Sequence, residues 1–80
     1  MRIGIAVQKR VLELCRENGI TVNKLATLSG LTQSTLNNIV SGRNQSATVT
    51  TVQKICDGIG ISVRDFFESS LFDDIEQELR

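Results

Sequence analysis

Apolar residues recur along this chain at spacings of three and four, and the run is broken at short intervals by Gly19, Gly30, Gly42 and Gly60, each shortly before a Thr or Ser. Glycine just past a helix end supplies the left-handed turn, and a hydroxyl then caps the free N–H groups of the next helix. The pattern predicts a first helix over Ile3–Asn18 with Val7, Val11, Leu14 and Cys15 inward, and a second over Val22–Ser29 with Val22, Leu25 and Ala26 inward. A third follows over Gln33–Ser41, and a fourth, capped by Thr48, turns Val49, Val52, Ile55, Cys56 and Ile59 to the core. Ser62 with Asp65, and Ser70 with Asp73, repeat the pairing in which side chain and backbone satisfy each other at a helix start. They open a fifth helix over Val63–Glu68 and a final amphipathic helix over Leu71–Leu79. β-branched residues are plentiful but sit at helical spacing, so the expected fold class is all-α with one core.

The third helix is unusual because Gln33–Ser41 carries no charged side chain. At about 100° per residue, Leu36, Ile39 and Val40 share one arc and Gln33, Ser34, Asn37, Asn38 and Ser41 fill another. A solvated helix face is ordinarily built from Lys and Glu, which favour helix and pair at i,i+4. Carboxamides instead offer a donor and an acceptor side by side, which suits bidentate pairing with adenine in the major groove, and small hydroxyls read either kind of base edge. Two short helices joined through Ser29-Gly30-Leu31-Thr32 have the sequence form of a helix-turn-helix.

Composition sharpens this picture. Eighty residues fill one small core. Nine basic and nine acidic side chains balance overall, yet residues 1–64 carry a net +5 and residues 65–80 a net −5. A basic body with an acidic tail fits either a polyanion partner for the body, with the tail directed away from it, or two solvated surfaces of opposite sign, and charge alone does not choose between them. With no histidine, two cysteines and no glycine-rich phosphate loop, the constellations of acid–base, nucleophilic and metal chemistry are missing, so neither an enzyme nor a bound cofactor or metal is expected. Both cysteines are expected as buried thiols. No apolar stretch approaches the roughly 20 residues of a membrane span, and no secretory leader is evident, so a cytoplasmic location is expected.

The stretch "ITVNKLATLSGLTQSTLNNIVSGRNQSATVTTVQKICDGIGISVRDFF" resembles the Cro/CI-type (XRE-family) helix-turn-helix of phage repressors and bacterial regulators. Leu25-Ala26, Gly30, Leu31-Thr32, Leu36, Ile39, Gly42, Thr48, Gly60 and Ser62 carry the resemblance by their order and spacing. It implies a five-helix, lambda-repressor-like domain over residues 1–68, followed by the acidic amphipathic segment at 69–80. It also implies sequence-specific binding of double-stranded DNA by a transcriptional regulator, a repressor, with the third helix in the major groove. Gln33, Ser34, Asn37 and Asn38 are then the base-reading residues. Thr21, Val22, Asn23, Thr32, Thr35, Arg43 and Asn44 are the phosphate contacts.

Departures from the family pattern are equally specific. Val22 stands where many relatives carry a glutamine that steadies the one at position 33, and Ala47 where they carry proline. Cys15 and Val40 replace an Arg–Glu pair, which predicts that the two lie close together. Leu71, Phe72, Ile75 and Leu79 form a stripe that either folds back on its own domain or makes a homodimer on a pseudo-palindromic site. The competing reading is a protein-interaction or dimerisation module that keeps the helix-turn-helix scaffold without its own sequence-specific DNA binding.

Overall fold

Every predicted cap that precedes a core helix is made. In a computed structural model that describes residues 1–43 and 46–79, the helices are α1 (Ile3–Asn18), α2 (Val22–Ser29), α3 (Gln33–Val40), α4 (Val49–Ile59) and α5 (Val63–Phe67), with a single 3-10 turn at Ser70–Phe72. The described residues contain no strand. The hydroxyls of Thr21, Thr32, Thr48 and Ser62 accept hydrogen bonds from the amides of Lys24, Thr35, Thr51 and Asp65 at 2.9–3.1 Å. Each such cap satisfies an N–H that the helix itself cannot. At the other ends Gly19, Gly30 and Gly60 take φ of 62°, 68° and 73°. The apolar residue that follows each of them (Ile20, Leu31, Ile61) donates its amide to the carbonyl of Cys15, Ala26 or Cys56 and packs on the core.

The core takes at least one fully buried side chain from every α-helix, Val11, Leu25, Leu36, Ile55 and Phe66 among them. Around them lie Val7, Leu14, Cys15, Ala26, Ile39, Val52 and Cys56, with Val22, Val40 and Ile59 packed against the cluster. Cys15, a free thiol, lies in the apolar cluster, and Val40 packs half-buried against it. Burial pushes both thiols above their ordinary pKa, and Asp57 adds to the effect at Cys56.

Helix α2 packs most extensively on α4, and Gly58 makes that approach possible. A Cβ at Gly58 would lie 2.7 Å from Ser29 Oγ and 3.0 Å from the carbonyl carbon and oxygen of Leu28. The Ser29 hydroxyl is buried with no hydrogen-bond partner among the described residues.

Three features depart from the sequence reading. Val49 is 79% exposed rather than buried: as the first residue of α4 it overhangs an apolar cleft lined by Ile3, Val7, Val52 and Phe67, and Val52 takes the inward position one turn later. Arg10, on the inward side of α1, is only 7% exposed. Its Nε and Nη2 donate to the carbonyls of Phe66 (2.6 Å) and Asp65 (2.9 Å) while Nη1 pairs with Glu13, so a cation holds the C-terminal end of α5 against α1. Such a charge-assisted group is favourable beside helix carbonyls.

The third departure is the final helix, which stops after one 3-10 turn. A helix here would set Asp73 by Glu76 and Asp74 by Glu78 at i,i+3 and i,i+4, like-charge pairs that disfavour it, while Met1 offers backbone partners to an extended strap. The Glu76 amide donates to the Met1 carbonyl at 3.1 Å, and the Met1 amine donates to the Asp74 carbonyl at 3.2 Å. Glu78 pairs with Arg2 at 2.7 Å, an exposed contact worth at most about 1 kcal/mol. Phe72 closes an aromatic group with Phe66 and Phe67 at ring separations of 4.9–6.2 Å. Leu71, Phe72 and Ile75 are half-buried and Leu79 alone is fully out, at 87%. The segment therefore folds back on its own domain, with Leu71, Phe72 and Ile75 still partly exposed.

Gly58→Ala should cost about 1–3 kcal/mol in urea unfolding, because the added methyl meets backbone as well as a hydroxyl. Ser29→Ala, which removes the unpaired hydroxyl, should leave stability unchanged or higher in the same measurement. Both cysteines should resist an aromatic disulfide reagent near pH 8 in the folded protein and react promptly once it is unfolded, since burial and raised pKa both withhold the thiolate.

Candidate nucleic-acid interface

The turn between α2 and α3 is fixed from both sides. Leu31 is half-buried against the core and Thr32 caps α3, its Oγ1 lying 2.8 Å from the Thr35 hydroxyl. Leu36 and Ile39 then plant one face of α3 in the core. The opposite face is presented outward as the pattern predicts. Gln33, Ser34 and Asn37 are exposed, Asn38 is half-buried, and all four line one open surface depression together with Val40, Ser41 and Arg43.

Their hydrogen-bonding state is the notable property of this face. Among the described residues, the side chains of Gln33, Ser34, Asn37 and Asn38 make no hydrogen bond to the protein, so their donors and acceptors face solvent. The caps on either side are, by contrast, occupied: Thr21 and Thr32 hold helix amides, and the Thr35 hydroxyl is paired with that of Thr32.

Among the described residues, the expected phosphate contacts lie at the starts of α2 and α3 and just past the end of α3. Thr21 and Asn23 are exposed at the start of α2, whose first turn presents free N–H groups as any helix does. Val22 is half-buried and packs on the core, leaving its backbone rather than its side chain for a contact. Thr32 and Thr35 flank the start of α3, and Arg43 lies in the depression itself. Asn44 lies outside the described residues.

Two participants were not singled out from the sequence. Ser41 shares the depression and, as the residue that ends α3, donates its amide to the Asn37 carbonyl at 2.9 Å. Gln8, on α1, donates from Nε2 to the Val40 carbonyl at 2.8 Å. Ser41 was visible on the polar arc, whereas a contact from 32 residues away leaves no periodic signal. The electrostatics also have a sharper sequence signature than the +5 of the body. Between Glu17 and Asp57 there is no acidic residue, while Lys24, Arg43 and Lys54 fall within that interval. It contains all of α2 and α3.

Comparison with known proteins agrees with this geometry. Residues 10–70 match the model of the Cro/C1-type helix-turn-helix DNA-binding domain. The chain belongs to that family. Within it, the chain is 34% identical over 64 residues to the HTH-type transcriptional regulator PuuR of Escherichia coli (strain K12), and to that of Shigella flexneri, a match covering 80% of this chain and 34% of each relative. It thus spans about a third of the length of those curated relatives. Among solved structures, the prophage Lp1 protein 11 is 39% identical with a TM-score of 0.80, over 94% of this chain and 100% of that one. The Cro/C1-type family is one of DNA-binding rather than catalytic domains, and α2, the turn and α3 are its helix-turn-helix. Among the described residues no helix is long and apolar enough to cross a membrane.

The cap of α3 gives a direct test of how this unit is held. Thr32→Ala should destabilise the domain by about 1 kcal/mol and speed amide exchange at Thr35 more than in α4, as read by hydrogen-exchange NMR.

Proposed function

We propose that this domain is a sequence-specific, double-stranded DNA-binding transcriptional regulator that reads the major groove with α3 and acts as a repressor. The observation that carries the proposal is the exposed face of α3. The carboxamides of Gln33, Asn37 and Asn38 and the Ser34 hydroxyl, with no partner in the described residues, are gathered on the second helix of a helix-turn-helix, inside an acid-free interval of the chain. Holding such groups in poor helix formers sacrifices local stability, which makes sense where base edges supply the missing partners.

In this reading Gln33, Ser34, Asn37 and Asn38 address bases, with Gln33 or an Asn suited to adenine N6 and N7. Arg43, the hydroxyls of Thr21, Thr32 and Thr35, the backbone at Val22, and Asn23 and Asn44 address phosphates and fix the register. The acidic strap stays away from the duplex because like charge repels it. Repression follows from occupancy, since a protein seated in the groove excludes others from the same base pairs. An eight-residue helix reaches only a few base pairs, so two copies on adjacent half-sites would provide a longer site, and the exposed parts of Leu71, Phe72, Ile75 and Leu79 would be one surface at which they meet. The protein works in the compartment that holds the DNA, the cytoplasm of a bacterial cell for relatives such as those named.

Selection of bound duplexes from a random pool should yield a consensus. With Gln33→Ala the preference at one base pair should disappear, at a cost of about 1–3 kcal/mol on the wild-type site, and an unchanged consensus would refute the role of Gln33. Arg43→Gln should instead weaken binding to all duplexes alike and reduce the slope of log K against log salt by about one. Absence of any salt-sensitive complex with duplex DNA would overturn the proposed function.

A further inference from the structure

An α-helix leaves its last four carbonyls without intrahelical donors, and α3 shows where each of its own goes. The Asn37 carbonyl receives the Ser41 amide at 2.9 Å and the Ile39 carbonyl receives the Gly42 amide at 3.3 Å. The Asn38 carbonyl receives the Ser41 hydroxyl at 3.4 Å. The last, Val40, is satisfied from a different helix: Gln8 of α1 reaches it with Nε2 at 2.8 Å in a half-buried bond. The other carboxamide atom, Gln8 Oε1, lies 3.5 Å from where a Cβ on Gly42 would stand, an ordinary contact distance, so the backbone and not space calls for glycine at the end of α3. Gly42 itself has a φ of 81°, which only glycine adopts without strain.

Gln8 is therefore placed to fix the far end of the helix that carries the unbonded carboxamides. The apolar anchors Leu36 and Ile39 restrain how deeply α3 sits but, being non-directional, restrain its roll and tilt poorly. A hydrogen bond with a defined donor direction at Val40 adds that restraint about 12 Å from the Thr32 cap, and site geometry is held only when such supports keep groups within about 0.5 Å and 10–20°.

We infer that Gln8 is a positioning residue for base recognition: it touches no DNA and sets the orientation of α3 through the Val40 carbonyl. The inference rests on the base-reading role proposed for α3. Gln8→Met keeps the length and apolar stem of the side chain and removes the donor, whereas Gln8→Lys restores a donor at a helix C-terminus, where a cation is welcome. The measurement is the ratio of affinities for the selected duplex and a random duplex, together with the salt slope on the random duplex and the urea midpoint. A ratio between duplexes cancels most of the charge that Lys adds.

Gln8→Met should lower the ratio about tenfold while leaving random-duplex affinity and its salt slope unchanged, and Gln8→Lys should recover most of the loss. An unchanged ratio in a folded Gln8→Met protein would overturn the inference. So would an equal fall on both duplexes with a lowered urea midpoint, which would make Gln8 a packing residue only. A wild-type protein that binds selected and random duplexes alike would overturn the base-reading function itself, and the inference with it, before any substitution is made.

Discussion

An eight-residue helix does not persist in water by itself, and two of them, α2 and α3, make up the helix-turn-helix. Their existence depends on burial supplied by the rest of the chain. That dependence explains why α1, α4 and α5 each send a fully buried side chain (Val11, Ile55, Phe66) to meet Leu25 and Leu36. It also explains Gly58, whose missing Cβ lets α4 close onto the backbone at the end of α2, where a larger residue would hold the two helices apart. Arg10 extends the same logic outward, since α5 is only five residues long and its last carbonyls are held by a buried guanidinium from α1.

What could be read from the sequence was the local grammar. Thr21, Thr32, Thr48 and Ser62 are caps because the hydroxyl, the non-helical turn before it and the amide three residues on are all within a few residues of one another. The polar face of α3 was legible for the same reason, as a property of one helix and its period. Contacts set by the tertiary arrangement were not. Val49 satisfies the helical spacing of the core and still projects past its edge. The 71–79 segment has an amphipathic period, but its acids leave it to the backbone partners at Met1, which no periodicity encodes. Gln8 and Arg10 lie in α1 as ordinary polar residues until residues 40 and 66 are folded beside them.

The departures from the family pattern change how α3 is held. Where many relatives join the first and third helices through an Arg–Glu pair, this chain has Cys15 in the apolar cluster and Val40 packed against it. Replacing both members avoids a stranded charge and costs little stability, but it also removes a directional contact. The Gln8 bond to the Val40 carbonyl returns direction to the same helix end without returning charge. A carboxamide there is compatible with the neutral face proposed to read bases, because it adds neither a carboxylate to repel phosphate nor a cation to bind it indiscriminately.

The exclusion of acid reaches even the helix caps. Aspartate caps a helix N-terminus as well as threonine does, and its charge interacts favourably with the helix dipole. Yet α2, α3 and α4 all begin with threonine, and none of the three has an acid in its first turn. Only α5, which lies outside the interval between Glu17 and Asp57, uses the stronger device, a capping box in which Asp65 accepts from the Ser62 amide. A choice made for helix stability alone would have put carboxylates at all four starts. Leaving them out of three forgoes roughly 0.3–1 kcal/mol of dipole interaction at each, and it keeps negative charge from the helix ends and polar face that a phosphate backbone would meet.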